Sequence, residues 1–133
     1  NKKIPILGIC VGMQIFGNSS VEGSASGLGW INYSIEKFSE ENRSKPLPHM
    51  GWNQVKLNKK SVFYNQDFKN AYFYFLHSYC LKKTNEKDLI TSECNYNDNF
   101  TAIVEHKNIY GIQFHPEKSH NSGLKILKSF SDL

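Results

Sequence analysis

The sequence has few cysteines, no long apolar run and no large excess of one charge, and each shortage removes a class of protein. Three cysteines, Cys10, Cys80 and Cys94, without a Cys-x-x-Cys pair, argue against a disulfide-dense secreted scaffold and against a cysteine-rich zinc module. They suit a reducing compartment, so a cytoplasmic location is expected. The longest apolar stretches, Ile4 to Ile9 and Tyr72 to Leu76, fall far short of the roughly 20 residues that span a bilayer, and no membrane partner is expected. No leader is recognisable, because Asn1-Lys2-Lys3 runs into a segment holding Pro5 and Gly8 with no small-residue cleavage site. The formal charge of +4 comes from lysines scattered among acids. A basic stripe with interleaved aromatics is missing, and with it the expectation of a nucleic-acid partner. His49, His77, His106 and His120 share no metal-ligand spacing, so neither metal nor cofactor is expected.

What is present fits a single domain over residues 1–133, whose 39% hydrophobic and 14% aromatic content can fill a packed core. Lys3 to Ile9 reads as a buried strand, continuous in apolar residues and followed at once by a change of period. From Val11, the positions Val11, Met13, Ile15 and Phe16 suit a short helix closed by Gly17-Asn18. The Ser- and Gly-rich stretch Ser19 to Gly29 predicts a loop, and strands are expected over Trp30 to Phe38, Gly51 to Leu57 and Ala71 to Leu81. Phe100 to Glu105 and Ile109 to His115 flank the polar turn His106-Lys107-Asn108 and predict a hairpin. A last helix follows, with capping residues in Ser119 to Ser122 and an apolar stripe of Leu124, Leu127 and Phe130, or Ile126 and Phe130. The fold class expected is α/β, a mixed sheet flanked by helices with the Lys3 to Ile9 strand at its centre.

Chemistry concentrates at two places. Gly8-Ile9-Cys10-Val11-Gly12 puts a cysteine at a strand-to-helix turn between two glycines, the cysteine form of a nucleophile elbow. The flanking glycines are expected to be needed where backbone passes close to the nucleophile. At a helix start the thiolate is favoured over the thiol, and the Val11 N–H can face a developing oxyanion. Far along the chain, Ile112-Gln113-Phe114-His115-Pro116-Glu117 ends a strand with a histidine and a carboxylate two residues apart, hence on one face. His115 can take the Cys10 proton and return it to a leaving amine, while Glu117 orients the imidazole.

These two segments resemble the class I glutamine amidotransferases, which carry Gly-Ile-Cys-Val-Gly-Met-Gln as nucleophile motif and Phe-His-Pro-Glu as the other half of a triad. The resemblance covers essentially the whole chain. Within the family, Pro48 to Asn53, Tyr74 to Tyr79 and Phe114 to Ser119 look like the glutaminase subunits of imidazole glycerol phosphate synthases. It implies a flavodoxin-like sheet and a Cys10, His115, Glu117 triad that hydrolyses glutamine through a glutamyl thioester. It implies substrate contacts from Val11, Gln14, Glu22, Ser78 and Tyr79. It implies, too, that Met50, Trp52, Asn53, Tyr74 and Lys118 meet a (β/α)8-barrel cyclase partner in a heterodimer. The ammonia would pass to that partner for imidazole glycerol phosphate, on the way to histidine.

Some features depart from the family pattern. Members place two strand-helix units and a further strand before the nucleophile strand, roughly 60–75 residues, whereas nine precede Cys10 here. The expectation is therefore of an N-terminally truncated domain without the loop that gives a second oxyanion donor, and with an exposed strand edge that weakens the isolated chain. Glu22 lies in Ser20-Val21-Glu22-Gly23 where many histidine-pathway members carry paired acids. Trp30 and Ser119-His120 look more like paralogues that supply ammonia for amidation of a surface-polysaccharide sugar. An inactive docking module is the other alternative, favoured by the short start and opposed by the intact triad.

Overall fold

The computed structural model describes residues 3–68 and 71–133. In chain order its elements are β1 (Ile6–Ile9), α1 (Val11–Gln14), β2 (Ser19–Ser20), β3 (Ser34–Lys37), β4 (His49–Lys56), β5 (Tyr72–His77), β6 (Tyr79–Cys80), β7 (Ile90–Tyr96), β8 (Asp98–His106), β9 (Ile109–Ile112) and α2 (His120–Ser131), with 3-10 turns at Gln66–Phe68 and Pro116–Lys118. Six strands form a mixed sheet in the order β1-β9-β8-β7-β4-β5, and β2, β3 and β6 form a smaller one. Only β1 and β9 run parallel in the large sheet, with Ile9 opposite Ile112; the other pairings are antiparallel.

The α/β class is as the sequence implied, and β1 has the exposed edge expected of it where the elbow alone suggests a central place. It lies at the edge of the six-stranded sheet with β9 as its one strand neighbour among the described residues, and Ile6 and Ile4 are exposed. A strand central to such a sheet needs a neighbour on each side, and β1 has one. The strand is also shorter than Lys3 to Ile9, because pairing begins at Ile6; Asn1 and Lys2 lie outside the described residues.

Two apolar layers hold the sheet. One is built on phenylalanine, with Phe38, Phe63, Phe73, Phe75, Phe100 and Phe114 among its fully enclosed members and Ile126 of α2 closing it. The other gathers Met13 and Phe16 beside Ile31, Tyr33, Ile35, Leu81 and Val104. The alternation of β9 sends Tyr110 and Ile112 into the first layer, and Phe114 just beyond the strand follows them. The expected hairpin is β8 and β9, turned at Lys107 with φ of 56°. On α2, Ile126 is buried while Leu124 stays 63% exposed, so the inward stripe is the Ile126 and Phe130 one.

The aromatic run expected as one strand from Ala71 to Leu81 is two. It leaves the large sheet after His77 and joins the small one at Tyr79, with Lys37 opposite Tyr79. That switch at Ser78 sets β5 and β6 around one end of the sheet, where β1 and β9 also end. The Trp30 to Phe38 strand is shortened to β3, because Trp30 and Ile31 donate their N–H groups to the Phe16 carbonyl and so continue the preceding loop. β7 has no forerunner in the sequence pattern: Ile-Thr-Ser-Glu-Cys-Asn-Tyr is half polar and carries a bulge at Ser92/Glu93, so its alternation is faint.

Candidate active site

Cys10 closes β1 with φ of 54° and ψ of −110°, a conformation that a side-chain-bearing residue adopts at a cost of about 1–3 kcal/mol. The neighbouring bonds hold it there. Its N–H donates to the Ile112 carbonyl at 2.8 Å, continuing the β1–β9 pairing, while its own carbonyl accepts from Met13 and Gln14 and starts α1. Of the flanking glycines one is required. A Cβ on Gly8 would stand 2.5 Å from the Gly12 carbonyl oxygen and 2.6 Å from the Phe16 ring, whereas one on Gly12 would meet nothing within 4 Å. The expectation that both glycines answer to crowding holds for Gly8 alone.

The sulfur sits between an acceptor and a donor. Its S–H is directed at the Leu76 carbonyl, 3.8 Å away, and Gln113 Nε2 donates to it at 3.7 Å. Partial burial pushes the thiol pKa up, the Val11 N–H pulls it back, and the negative charges of Glu117 and Glu22 push it up further while the Gln113 amide opposes them. Cys80 and Cys94 differ in kind. Both are buried, which pushes each thiol to about 12, whereas Cys10 is only partly buried.

His115 and Glu117 meet as the spacing requires, Nδ1 to Oε1 at 2.7 Å. The pair stands at the start of the Pro116–Lys118 turn, where Pro116 fixes the first turn residue and the Lys118 N–H returns to the His115 carbonyl. The backbone of β5 holds both halves of the site. The Tyr74 carbonyl accepts the His115 N–H at 2.8 Å, and two residues on, the Leu76 carbonyl faces the Cys10 sulfur. Ser119 secures this arrangement: its hydroxyl donates to the His115 carbonyl at 2.6 Å and accepts the Tyr74 N–H at 2.9 Å. The sequence pattern offers that hydroxyl as a cap for α2, and it makes no capping bond. The order in the chain hides its role, since Tyr74 is a strand partner and remote in sequence.

Gln14 lies inside and not on the surface of α1. Its Nε2 donates to the Tyr79 carbonyl and to Gln113 Oε1, both at 3.0 Å. Tyr79 thus reaches the site through its carbonyl, and Ser78 through the switch between sheets, where its carbonyl takes the Phe38 N–H. Glu22 is exposed on the loop, its N–H held by the Ser20 hydroxyl. Val11 is 63% exposed at the first position of α1.

Of the five residues read as a docking group, the sheet brings four together. Alternation along β4 and β5 places Met50, Trp52, Leu76, Tyr74 and Tyr72 on one open face, with Met50 opposite Leu76 and Trp52 opposite Tyr74. Lys118 Nζ lies 5.6 Å from the centre of the Tyr74 ring, and His120 stacks on Trp52 at 5.1 Å. Asn53 separates from them because odd positions of β4 face the other way. Its Nδ2 donates to the Asn95 carbonyl and meets His49 Nε2.

That contact begins a buried polar chain. His77 Nδ1 can only donate to the Tyr79 carbonyl, 2.9 Å away, which leaves its Nε2 to accept from His49 Nδ1 at 2.9 Å; His49 Nε2 then accepts from Asn53. Both imidazoles are neutral in this arrangement. Desolvation, then the neighbouring His77, holds His49 at about 3; desolvation, against the help of the Tyr79 carbonyl, holds His77 at about 4. Among the described residues no cluster of three or more His, Cys, Asp or Glu could hold a metal, and no helix is long and apolar enough to cross a membrane.

The profile of the family described as glutamine amidotransferase class-I matches residues 1–132. The chain is similar to the imidazole glycerol phosphate synthase subunit HisH of Leptospira borgpetersenii, 49% identical over all of this chain and 66% of that protein. It is similar also to subunit HisH 2 of Methanococcus maripaludis, 47% identical over 97% of this chain and 63% of that one. It therefore spans about two thirds of the length of these curated relatives. Among solved structures, PurLQS from Thermotoga maritima superposes with a TM-score of 0.69 at 17% identity, over 96% of this chain and 61% of that one. A GMP synthase protein from Thermoplasma acidophilum gives 0.66 at 23%, over 95% and 55%.

Proposed function

The chain belongs to the class-I glutamine amidotransferase family, and from that premise we propose that it is the nucleophile-bearing part of a cytoplasmic glutaminase whose ammonia serves the synthesis of imidazole glycerol phosphate. In this reading Cys10 gives its proton to His115 and attacks the side-chain amide carbon of glutamine. The Val11 N–H supports the oxyanion, as the elbow geometry allows. His115 then protonates the leaving nitrogen, ammonia departs, and water resolves the glutamyl thioester to glutamate. Glu117 keeps Nδ1 of His115 engaged throughout, so proton transfer falls to Nε2.

The observation that carries the reading is the double hold of β5, with the His115 N–H on the Tyr74 carbonyl and the Cys10 sulfur against the Leu76 carbonyl. Two residues distant in sequence are thereby set two rungs apart on one strand. Gln14, Glu22, Ser78 and Tyr79 border the same end of the sheet and are assigned to the glutamine. The open face of Met50, Trp52, Tyr74 and Lys118 is assigned to a (β/α)8-barrel cyclase partner. Large aromatics with a cation at the edge are the residue types that anchor such contacts, and the names of the Leptospira and Methanococcus relatives support a component of that synthase.

The test uses the whole protein with its barrel partner. A diazo-ketone analogue of glutamine is expected to label Cys10, and Cys10→Ala is expected to abolish glutamate release. Absence of label at Cys10 overturns the glutaminase in favour of a docking module. Glutamate release driven by a sugar-modifying partner and not by the cyclase overturns the acceptor.

A further inference from the structure

Gln113 is fully enclosed, an uncharged amide in an otherwise apolar strand end, and its orientation is dictated from a distance. The Tyr79 carbonyl can only accept, so the end of Gln14 that faces it is the NH2 group. The same NH2 group is 3.0 Å from the Gln113 side chain, which must therefore present its oxygen there. The remaining end of Gln113, its NH2, is left facing the Cys10 sulfur at 3.7 Å. The backbone fixes the reach, since the Gln113 N–H is bonded to the Ala102 carbonyl at 2.8 Å and the preceding carbonyl, of Ile112, holds the Cys10 N–H.

We propose that Gln113 is a further functional residue of the nucleophile, its amide N–H held on the sulfur by a Tyr79–Gln14–Gln113 relay so as to place Sγ and favour the thiolate. The proposal rests on the reading of Cys10 as nucleophile. An N–H donor binds S⁻ more strongly than S–H, so such a bond lowers the cost of losing the proton. It offsets a setting otherwise adverse to thiolate, in which partial burial and the carboxylates of Glu117 and Glu22 act against it and only the Val11 N–H acts with it. Gln14 on this view has two functions, bordering the substrate and deciding which end of Gln113 the sulfur meets.

The experiment follows the rate at which iodoacetamide alkylates Cys10 against pH, by peptide mass, in the whole protein. It needs neither glutamine nor partner, so it is independent of whether the chain is a glutaminase. Gln113→Leu keeps the bulk and removes the donor, and is expected to slow alkylation at pH 7 about tenfold by moving the midpoint up about one unit. Gln113→Glu keeps the acceptor for Gln14 and is expected to move it further. Gln14→Met, should a Gln113 variant not fold, is expected to shift the midpoint in the same direction by releasing the orientation. A folded variant at Gln113 or Gln14 whose alkylation profile superimposes on the parent overturns the proposal, because a residue that only packs would alter melting and leave the profile in place. A normal profile with lost glutamate release would instead place Gln113 on the substrate.

Discussion

On the inner face of the β4–β5 ribbon, Phe73 and Phe75 are fully buried and His49 and His77 nearly so, while on the outer face Met50 is 64%, Tyr72 52% and Trp52 46% exposed. The two faces carry side chains of similar size and similar apolar content, one residue apart in sequence. What separates them is company. The inner rings meet Phe38, Phe100 and Phe114, with Phe73 and Phe114 stacked at 4.2 Å; the outer ones meet each other, Lys118 and His120. The inner face thus stabilises the domain, and the outer face is free for another surface.

The sharpest way to break the comparison is to truncate one ring on each side. Phe75→Ala is expected to cost about 3–5 kcal/mol of stability, read by denaturant unfolding, because it opens a cavity in a packed layer. A loss below about 1 kcal/mol would mean that the inner face does not carry the fold. On the outer face, Trp52→Ala is expected to change stability by less than about 1 kcal/mol. It should weaken binding to the proposed barrel partner by about 2 kcal/mol, near thirtyfold in Kd, by titration calorimetry. Equal losses of stability from the two substitutions would erase the distinction.

Acid sharpens the contrast, because His49 and His77, whose ionisation burial opposes, belong to the inner face. His49 and His77 are held at about 3 and about 4, below the ordinary value near 6.5 that the unfolded chain offers. Below that value the unfolded state binds the more protons. Stability is therefore fully present above about pH 6.5 and falls as pH drops toward 4, by about 1.4 kcal/mol per pH unit for each imidazole. Thermal melts from pH 7 to pH 4.5 should show the decline, and His49→Gln should reduce its slope by about half. An unchanged slope would mean that the pair is not the source. The smallest effect is expected from Leu76→Ala, whose side chain lies outside while its carbonyl faces Cys10. Stability should move by about 0.5 kcal/mol, with the alkylation rate of Cys10 unchanged, since the backbone acceptor survives.

Much of this is legible from local pattern. Gly8-Ile9-Cys10-Val11-Gly12 announces a strand, a turn and a nucleophile, and His115-Pro116-Glu117 announces a paired imidazole and carboxylate, because both depend on residues within a few positions. The hairpin of β8 and β9 is visible for the same reason. What local pattern cannot carry is partnership across the sheet. Nothing near Ser119 says that its hydroxyl will join Tyr74 to His115, and nothing near Ser78 says that the strand changes sheets there. Gln113 offers one signal, a polar residue between Ile112 and Phe114 in a run otherwise closed to water, which asks for a buried partner. For β1 the elbow alone suggests a central strand, and the open edge is legible only from the comparison with the family pattern, since edge or centre depends on which strands stand beside it.

Ile112 stands on a rung with Ile9 on one side and Ile103 on the other, and this shared rung bears on how such a sequence can change over generations. The positions that follow it, Cys10 after β1 and Gln113 after β9, inherit their placement by counting from that rung. Substitution leaves the count alone, so drift in side-chain identity is tolerated wherever packing allows. In the segment from Ile112 to His115, a residue inserted or deleted directly after Ile112 shifts the count by one and turns Gln113 and His115 to the opposite face together. Lineages should accordingly gain and lose residues in the exposed stretch from 40 to 46 or in the polar one from 83 to 88, and keep the length of this segment fixed.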